Sequence, residues 1–225
     1  MFPIVAALAV VLADPAQLEA VLQKYVLEDG KVRYGALKAG LAPLTAYVEG
    51  IGATNPDSLA SPQAKLAFWL NTYNALVLHS MAAEYPESKG RLGGFLGRAS
   101  YFYRRKFRAG GQMRSLADIE NNTIRKFGEP RIHFAIVCAS VGCPWLARRA
   151  FTAENLESLL EDRAKLYFSQ SRSFRLEEPA TVRLTAIFDW FRGDFPPGFV
   201  ERYRPEAARR KRKYLDWDWS LNDAP

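Results

Sequence analysis

The run from Ser61 to about Tyr85 limits what this chain can fold into more than any other stretch. Ser61 is a capping residue, Pro62 suits a first helical turn, and Pro86 stops the pattern. Between them, Leu66-Ala-Phe-Trp-Leu-Asn-Thr-Tyr-Asn-Ala-Leu-Val-Leu78 is apolar nearly all round. A surface helix shows one apolar stripe, whereas a helix apolar on every side belongs inside. Everything else must therefore wrap this helix. Asn71 and Asn74 stand out within it, because a buried polar group without a partner costs about 1–3 kcal/mol. Their i, i+3 spacing makes them neighbours on the helix surface. They can satisfy the backbone of a nearby loop, or they can orient groups in a site.

Shorter helices supply the wrapping. Asp14-Pro15 opens one that carries Leu18, Val21, Leu22 and Tyr25 at helical spacing. Leu41, Leu44, Tyr47, Val48 and Ile51 mark another, ending near Gly50 to Gly52. Ser115 and Asp118 form a capping box for a third, and Thr152 caps a fourth with Leu156, Leu159, Leu160, Ala164 and Phe168 inside.

Strand signals are shorter. Val32 to Tyr34 reads as extended, and Ala109-Gly110-Gly111 as the turn of a hairpin. Ile132 to Cys138 reads as a strand covered on both faces, and Val182 to Leu184 as a short one. From Tyr214 to Leu221 the pattern alternates, with Leu215, Trp217, Trp219 and Leu221 on one face and Asp216 and Asp218 on the other. No linker, repeat or low-complexity tract divides the chain. The expected class is α+β, a single domain in which a small, largely antiparallel sheet is packed by the long buried helix and several shorter ones.

Residues 1–13 are uniformly apolar or small and end in Val11-Leu12-Ala13. They are shorter than the roughly 20 residues a membrane span needs, and resemble the core of a secretory signal without its usual basic start. The reading is a leader over 1–13 and a single globular domain over 14–225, exported to a periplasmic or envelope location, with no transmembrane helix in the mature chain. The net charge of +7 is concentrated in Arg104-Arg105-Lys106 with Arg108, and in Arg209 to Lys213. The second run follows Pro205 and reads as a solvated helix face. Without interleaved stacking aromatics, a nucleic-acid partner is disfavoured, and an anionic envelope surface or no specific partner fits better.

Chemistry gathers in Arg131 to Leu146, which holds both cysteines, Cys138 and Cys143, and one of two histidines, His133. The cysteines can form a disulfide if the Ser140 to Gly142 turn folds the chain back. Two Cys and one His fall short of a four-ligand zinc site, so neither metal nor other cofactor is called for. A thiolate nucleophile at Cys138 would need a base. On a regular strand His133 and Cys138, five apart, face opposite ways, and His79 could reach Cys138 only through tertiary packing.

Several motifs together resemble the family called domain of unknown function 547. They are Asp29-Gly30 with Val32 and Tyr34, Leu66 to Ala75, Ser115 to Glu120, Arg131 to Cys138 with Gly142-Cys-Pro144, Ile187 to Phe195, and Asp218 to Asn222. That family's activity is largely unassigned, but its pairing of an Ile-Glu-His element with a strand ending in Cys suggests a thiol-dependent enzyme similar to thiol-peptidase (papain-like) or transglutaminase-like proteins. Where the family pattern has His after Ile-Glu, this chain has Asn121, which cannot take a proton at neutral pH.

Three readings stay open. One is a ligand- or peptide-binding descendant, with Trp69, Asn71, Tyr73, Asn74, Ser140 and Cys143 at its site, taking a small molecule or peptide. Another is an active cysteine hydrolase or acyl transferase using Cys138 with Glu120, Asn121 and His133. The third is a structural or interaction protein with a Cys138–Cys143 disulfide. The sequence leaves the oligomeric state open.

Overall fold

The computed structural model describes residues 13–177 and 180–224. The expected leader therefore lies outside the described residues except for Ala13. α1 (Pro15–Tyr25) begins at Asp14, whose carboxylate accepts from the Ala16 N–H at 2.9 Å, and buries Leu18, Val21, Leu22 and Tyr25. α2 (Tyr34–Ala39) and α3 (Ala42–Ala53) follow. Then comes α4 (Pro62–Ala83), where the Ser61 hydroxyl accepts from the Ala64 N–H at 3.1 Å. Residues on every side of α4 are buried, as its pattern requires.

α5 (Phe95–Ala99) runs on into a π-helical turn, Ser100–Arg104. β1 (Phe107–Ala109) and β2 (Gln112–Arg114) form the expected antiparallel hairpin. Its turn places Gly110 and Gly111 at φ +59° and +76°, the left-handed region open to glycine. Ser115 caps α6 (Leu116–Asn122), accepting from the Asp118 N–H at 3.1 Å.

The C-terminal part holds α7 (Leu156–Phe168), β3 (Phe174–Glu177), β4 (Thr181–Leu184), α8 (Ile187–Trp190), α9 (Phe199–Tyr203) and β5 (Lys211–Tyr214). The sheet order is β3-β4-β5, antiparallel then parallel. The molecule is one mixed α and β domain with two hydrophobic cores. α1 to α4, α6 and the Leu156, Leu159 and Leu160 face of α7 contribute to the first, together with Ala109 of the hairpin. The second is aromatic: Phe134, Tyr167, Phe168, Phe174, Phe188 and Phe199 pack with Val182 and Leu184 of the sheet. The long helix thus meets the hairpin, where Trp69 approaches Gly110, while α7 to α9 cover the larger sheet.

Three local expectations are corrected. Arg209 to Lys213 is not a helix face: Arg209 turns at φ +61° and Lys211 to Lys213 form most of edge strand β5. Exposed cations on an edge discourage further strand pairing. Thr152 opens a turn rather than the helix itself. Its N–H donates to Asn155 Oδ1 and its hydroxyl accepts from the Asn155 N–H, so α7 starts at Leu156. Ile132 to Cys138 is not a strand, for a reason that belongs to the site.

The alternation of the C-terminal stretch holds: Leu221 is buried, Leu215, Trp217 and Trp219 are half-buried, and Asp216 and Asp218 are exposed. The expected strand is not formed, however: β5 ends at Tyr214, and from Leu215 to Leu221 only Leu221 makes a bridge, to Ser140. The last residues cross to the start of the fold. The Val32 N–H donates to Asn222 O at 2.9 Å, the Ala224 N–H to Val32 O at 2.8 Å, and Asn222 Nδ2 to Gly30 O at 3.0 Å.

Candidate functional site

The segment read as a strand is a 3-10 turn, Pro130–Phe134, followed by an irregular run through Cys143. Glu129 caps the turn, accepting from the Arg131 N–H at 2.9 Å, and Pro130 occupies its first position. Arg131, itself buried, is clamped by Glu129 and Glu157 with four contacts of 2.7–2.8 Å. Phe134 then enters the aromatic core while Ile132 and Ala135 enter the other. The turn straddles both cores.

Beyond it, helix amides do the work that a neighbouring strand would do. Asn74 Nδ2 donates to Ala135 O at 2.9 Å and its Oδ1 accepts from the Val137 N–H at 3.0 Å. Asn71 grips Phe151 likewise, at 2.7 Å to its carbonyl and 2.9 Å from its N–H. Buried backbone groups must be paired, and here the long helix pairs them. Loop anchoring is thus the role, of the two open to Asn71 and Asn74, that occupies their amides.

Ala139, at φ +65°, turns the chain so that Cys138 and Cys143 form a disulfide with Cα atoms 6.3 Å apart. A side chain in that region of backbone space costs about 1–2 kcal/mol. The Cys138 N–H points at Cys143 Sγ at 2.9 Å. Ser140 Oγ accepts from Trp217 Nε1–H at 2.9 Å and lies 3.0 Å from Cys138 Sγ. With Trp217 already donating to it, the Ser140 hydroxyl is left to donate toward sulfur. In this state neither sulfur is a thiolate, so the nucleophile expected at Cys138 exists only in a reduced chain.

This segment forms one side of a cleft of about 660 Å³. His133, Ile136, Val137, Cys138, Cys143 and Pro144 line it. The opposite-face expectation for His133 and Cys138 fails with the strand it assumed: both line the same cleft. From α4 and α6 come Tyr73, Ala117, Glu120 and Asn121. Much of the lining is aromatic, with Phe95, Phe102, Tyr103, Trp190, Trp217 and Trp219, of which Phe95, Tyr103 and Trp190 are exposed and so stand at the mouth. The three tryptophan rings lie 4.8–5.8 Å apart, and the Arg98 guanidinium sits 4.4 Å over Trp219.

Two polar sets meet at the cleft, the first through Tyr73 and Glu120 and the second through His133, which alone of its set lines it. Tyr73 donates to Glu120 Oε2 at 3.2 Å. Removal of water from the Glu120 carboxyl pushes its pKa up to about 7, against the Tyr73 hydroxyl and the nearby Arg125 charge. The second set is His133, Asp194 and Arg125. His133 Nε2 is 2.8 Å from Asp194 Oδ2, and Arg125 grips the same carboxylate through two nitrogens at 2.6 and 2.8 Å. Arg125 holds the Asp194 carboxyl below its ordinary range, while burial lowers His133 to about 4 against the pull of Asp194. At neutral pH the imidazole is uncharged and donates Nε2–H to an ionised carboxylate, which leaves Nδ1 as the acceptor nitrogen.

Asn121 lines the cleft but its amide is engaged elsewhere: Nδ2 donates to Ala117 O at 2.8 Å and Oδ1 accepts from Arg125 at 2.7 Å. It bonds neither sulfur. The structure therefore gathers Cys138, Glu120, Asn121 and His133 at one cleft, with Tyr73 and Cys143. Trp69, Asn71, Asn74 and Ser140 do not line it. Trp69 packs beside Gly110 under the hairpin, with Arg114 5.4 Å over its ring. His79 pairs with Thr45 at 3.0 Å and is no part of the site. Asp194, Arg125, Phe191 and Trp190 were not singled out from sequence, although Trp190, Phe191 and Asp194 fall in the Ile187 to Phe195 motif. Among the described residues, no group of three or more His, Cys, Asp or Glu could hold a metal ion.

A family model described as "Protein of unknown function, DUF547" matches residues 56–168, half of the 225 residues. That span carries α4, α6 and the disulfide segment, whereas Asp194 and the three cleft tryptophans lie beyond it. No curated protein and no solved structure matches the chain.

Proposed function

The chain belongs to the DUF547 family, of unknown function, and from that premise we propose that it is a binding protein whose cleft takes a small molecule or peptide with an aromatic or apolar part. One observation carries this reading: both cysteines that line the cleft are tied in the Cys138–Cys143 disulfide. The cleft keeps apolar walls and a few convergent polar groups, the make-up of a ligand pocket, without an activated nucleophile. Its aromatic mouth would hold the apolar part of a ligand, and Glu120, Tyr73 and His133 would meet its polar end. Export to an envelope or periplasmic location belongs to the same proposal, since disulfides persist in oxidising compartments.

The test is binding of the dye 1-anilinonaphthalene-8-sulfonate to the oxidised chain, followed by energy transfer from tryptophan and competed with short aromatic peptides. Saturable binding that the peptides displace, and that Ala99→Trp at the cleft mouth abolishes, is expected. Dye binding indifferent to both would sink the reading. The thiol-enzyme alternative rests on Cys138 Sγ lying in the cleft beside the Ser140 hydroxyl. It would replace the binding proposal if the reduced chain hydrolysed an activated thioester and Cys138→Ala removed that activity.

A further inference from the structure

From Ser88 to Ala117 the chain holds eight Lys or Arg and not one Asp or Glu. With 31 basic and 24 acidic residues in all, this is a local segregation and not a general surplus. The same stretch departs from the burial pattern seen elsewhere. Six large hydrophobic residues are exposed among the described residues, and four of them, Phe95, Leu96, Tyr103 and Met113, fall here. Phe95 and Leu96, at the start of α5, are 75% and 80% exposed, and Tyr103 in the π-helical turn is 65% exposed. Phe95 and Tyr103 border the same cleft mouth. Close by in the chain, Arg104 and Lys106 are exposed and have no acidic partner among the described residues.

We propose that this face docks on an anionic lipid surface. Phe95, Leu96 and Tyr103 enter the headgroup region, and Arg104 and Lys106 meet lipid phosphates. Exposed apolar side chains gain only where an apolar phase receives them, and a rim of cations adds attraction to anionic lipid. A purely acidic protein surface would leave Phe95 and Leu96 in water. A single-stranded nucleic acid would stack on aromatic faces, which Leu96, the most exposed of the set, does not offer. The inference goes beyond ligand binding in the cleft and stands without it.

The test is co-sedimentation of the full chain with vesicles of equal parts phosphatidylglycerol and phosphatidylcholine, against vesicles of phosphatidylcholine alone. Binding to the anionic vesicles that weakens with salt is expected. Arg104→Ala with Lys106→Ala should weaken it about thirtyfold, and Phe95→Ser with Leu96→Ser should abolish it with the fold intact by circular dichroism. Equal binding to both vesicle types, or binding that survives in the Phe95→Ser, Leu96→Ser chain, would place the contact elsewhere, in the apolar first residues for instance, and overturn the proposal. So would binding to heparin as tight as to anionic vesicles and untouched by those two serines, which marks a general polyanion surface.

Discussion

The two sides of the cleft are held in different ways. On the side of Arg131 to Cys143, the backbone is fastened by side chains from distant elements: Asn74 pins Ala135 and Val137, the disulfide closes the turn, and Trp217 reaches Ser140. On the side of Phe95 to Arg104, the buried Tyr101, with its hydroxyl 2.7 Å from Ser80 Oγ of the long helix, is the main anchor, helped by Arg98 to Leu92 O, while the large side chains of Phe95, Leu96 and Tyr103 lie open around it. Buried polar networks specify one arrangement, whereas a surface with few buried contacts sits at the low-stability end of a protein. The cleft therefore joins a fixed wall, which sets where polar groups stand, to a looser rim, which sets what can enter.

That contrast is broken most directly at Asn74. Asn74→Ala leaves the Ala135 carbonyl and the Val137 N–H without partners, and a loss of about 3 kcal/mol is expected, read from the urea midpoint. A loss under 0.5 kcal/mol would mean that the fixed wall does not depend on the helix. Removing the disulfide by Cys138→Ala with Cys143→Ala should cost about 2 kcal/mol for so short a loop. Thermal melting with and without reductant checks it, and the double variant should no longer respond to reductant.

The two polar sets give a sharper signature through pH. His133, lowered from 6.5 to about 4, refuses a proton that the unfolded chain binds, so its contribution makes stability fall on acidification between those values. Glu120, raised from 4.5 to about 7, keeps a proton that the unfolded chain releases. Its contribution is whole below 4.5 and is lost as pH rises through 7. The two slopes oppose each other where they overlap. Glu120→Gln removes one of them, and the variant should lose about 1.4 kcal/mol per pH unit more steeply than the parent on acidification between 6 and 5. Parallel stability profiles for the two chains would refute the assignment. The smallest effect is expected at the rim: Phe95→Ser with Leu96→Ser should move the urea midpoint by an equivalent of about 0.5 kcal/mol or less, because neither side chain leaves water on folding. A larger loss would show that the rim is as fixed as the wall.

Much of the architecture could be read from local pattern. The caps at Asp14, Ser61 and Ser115, the all-round burial of α4, the Gly110-Gly111 hairpin and the alternation of Leu215 to Leu221 are each written within a few neighbouring residues. What could not be read are features made by distant partners. Ile132 to Cys138 has the composition of a covered strand, and nothing within it tells that Asn74, on another element, takes its hydrogen bonds. The end of the basic run, Lys211 to Lys213, pairs along β4, which its own residues do not announce. Glu120 was visible in the site through its motif, but its companions were partly hidden. Asp194 and Arg125 act on His133 only because tertiary packing brings together positions 69 and 61 residues apart in the chain.

The crossing of the last residues to the first turn sets an order of events. Val32 is paired by Asn222 and Ala224, and Tyr34 donates to Asn222 Oδ1 across 188 positions. Contacts so far apart in sequence form late, after the loop between them has been closed. The irregular tail that makes them also carries Trp217 and Trp219 into the cleft. On a ribosome, α1 to α7 can gather around the long helix while the cleft still lacks one lip. The pocket is finished only when the tail has emerged, so a prematurely terminated chain would keep most of its helices and lack one lip of the cleft.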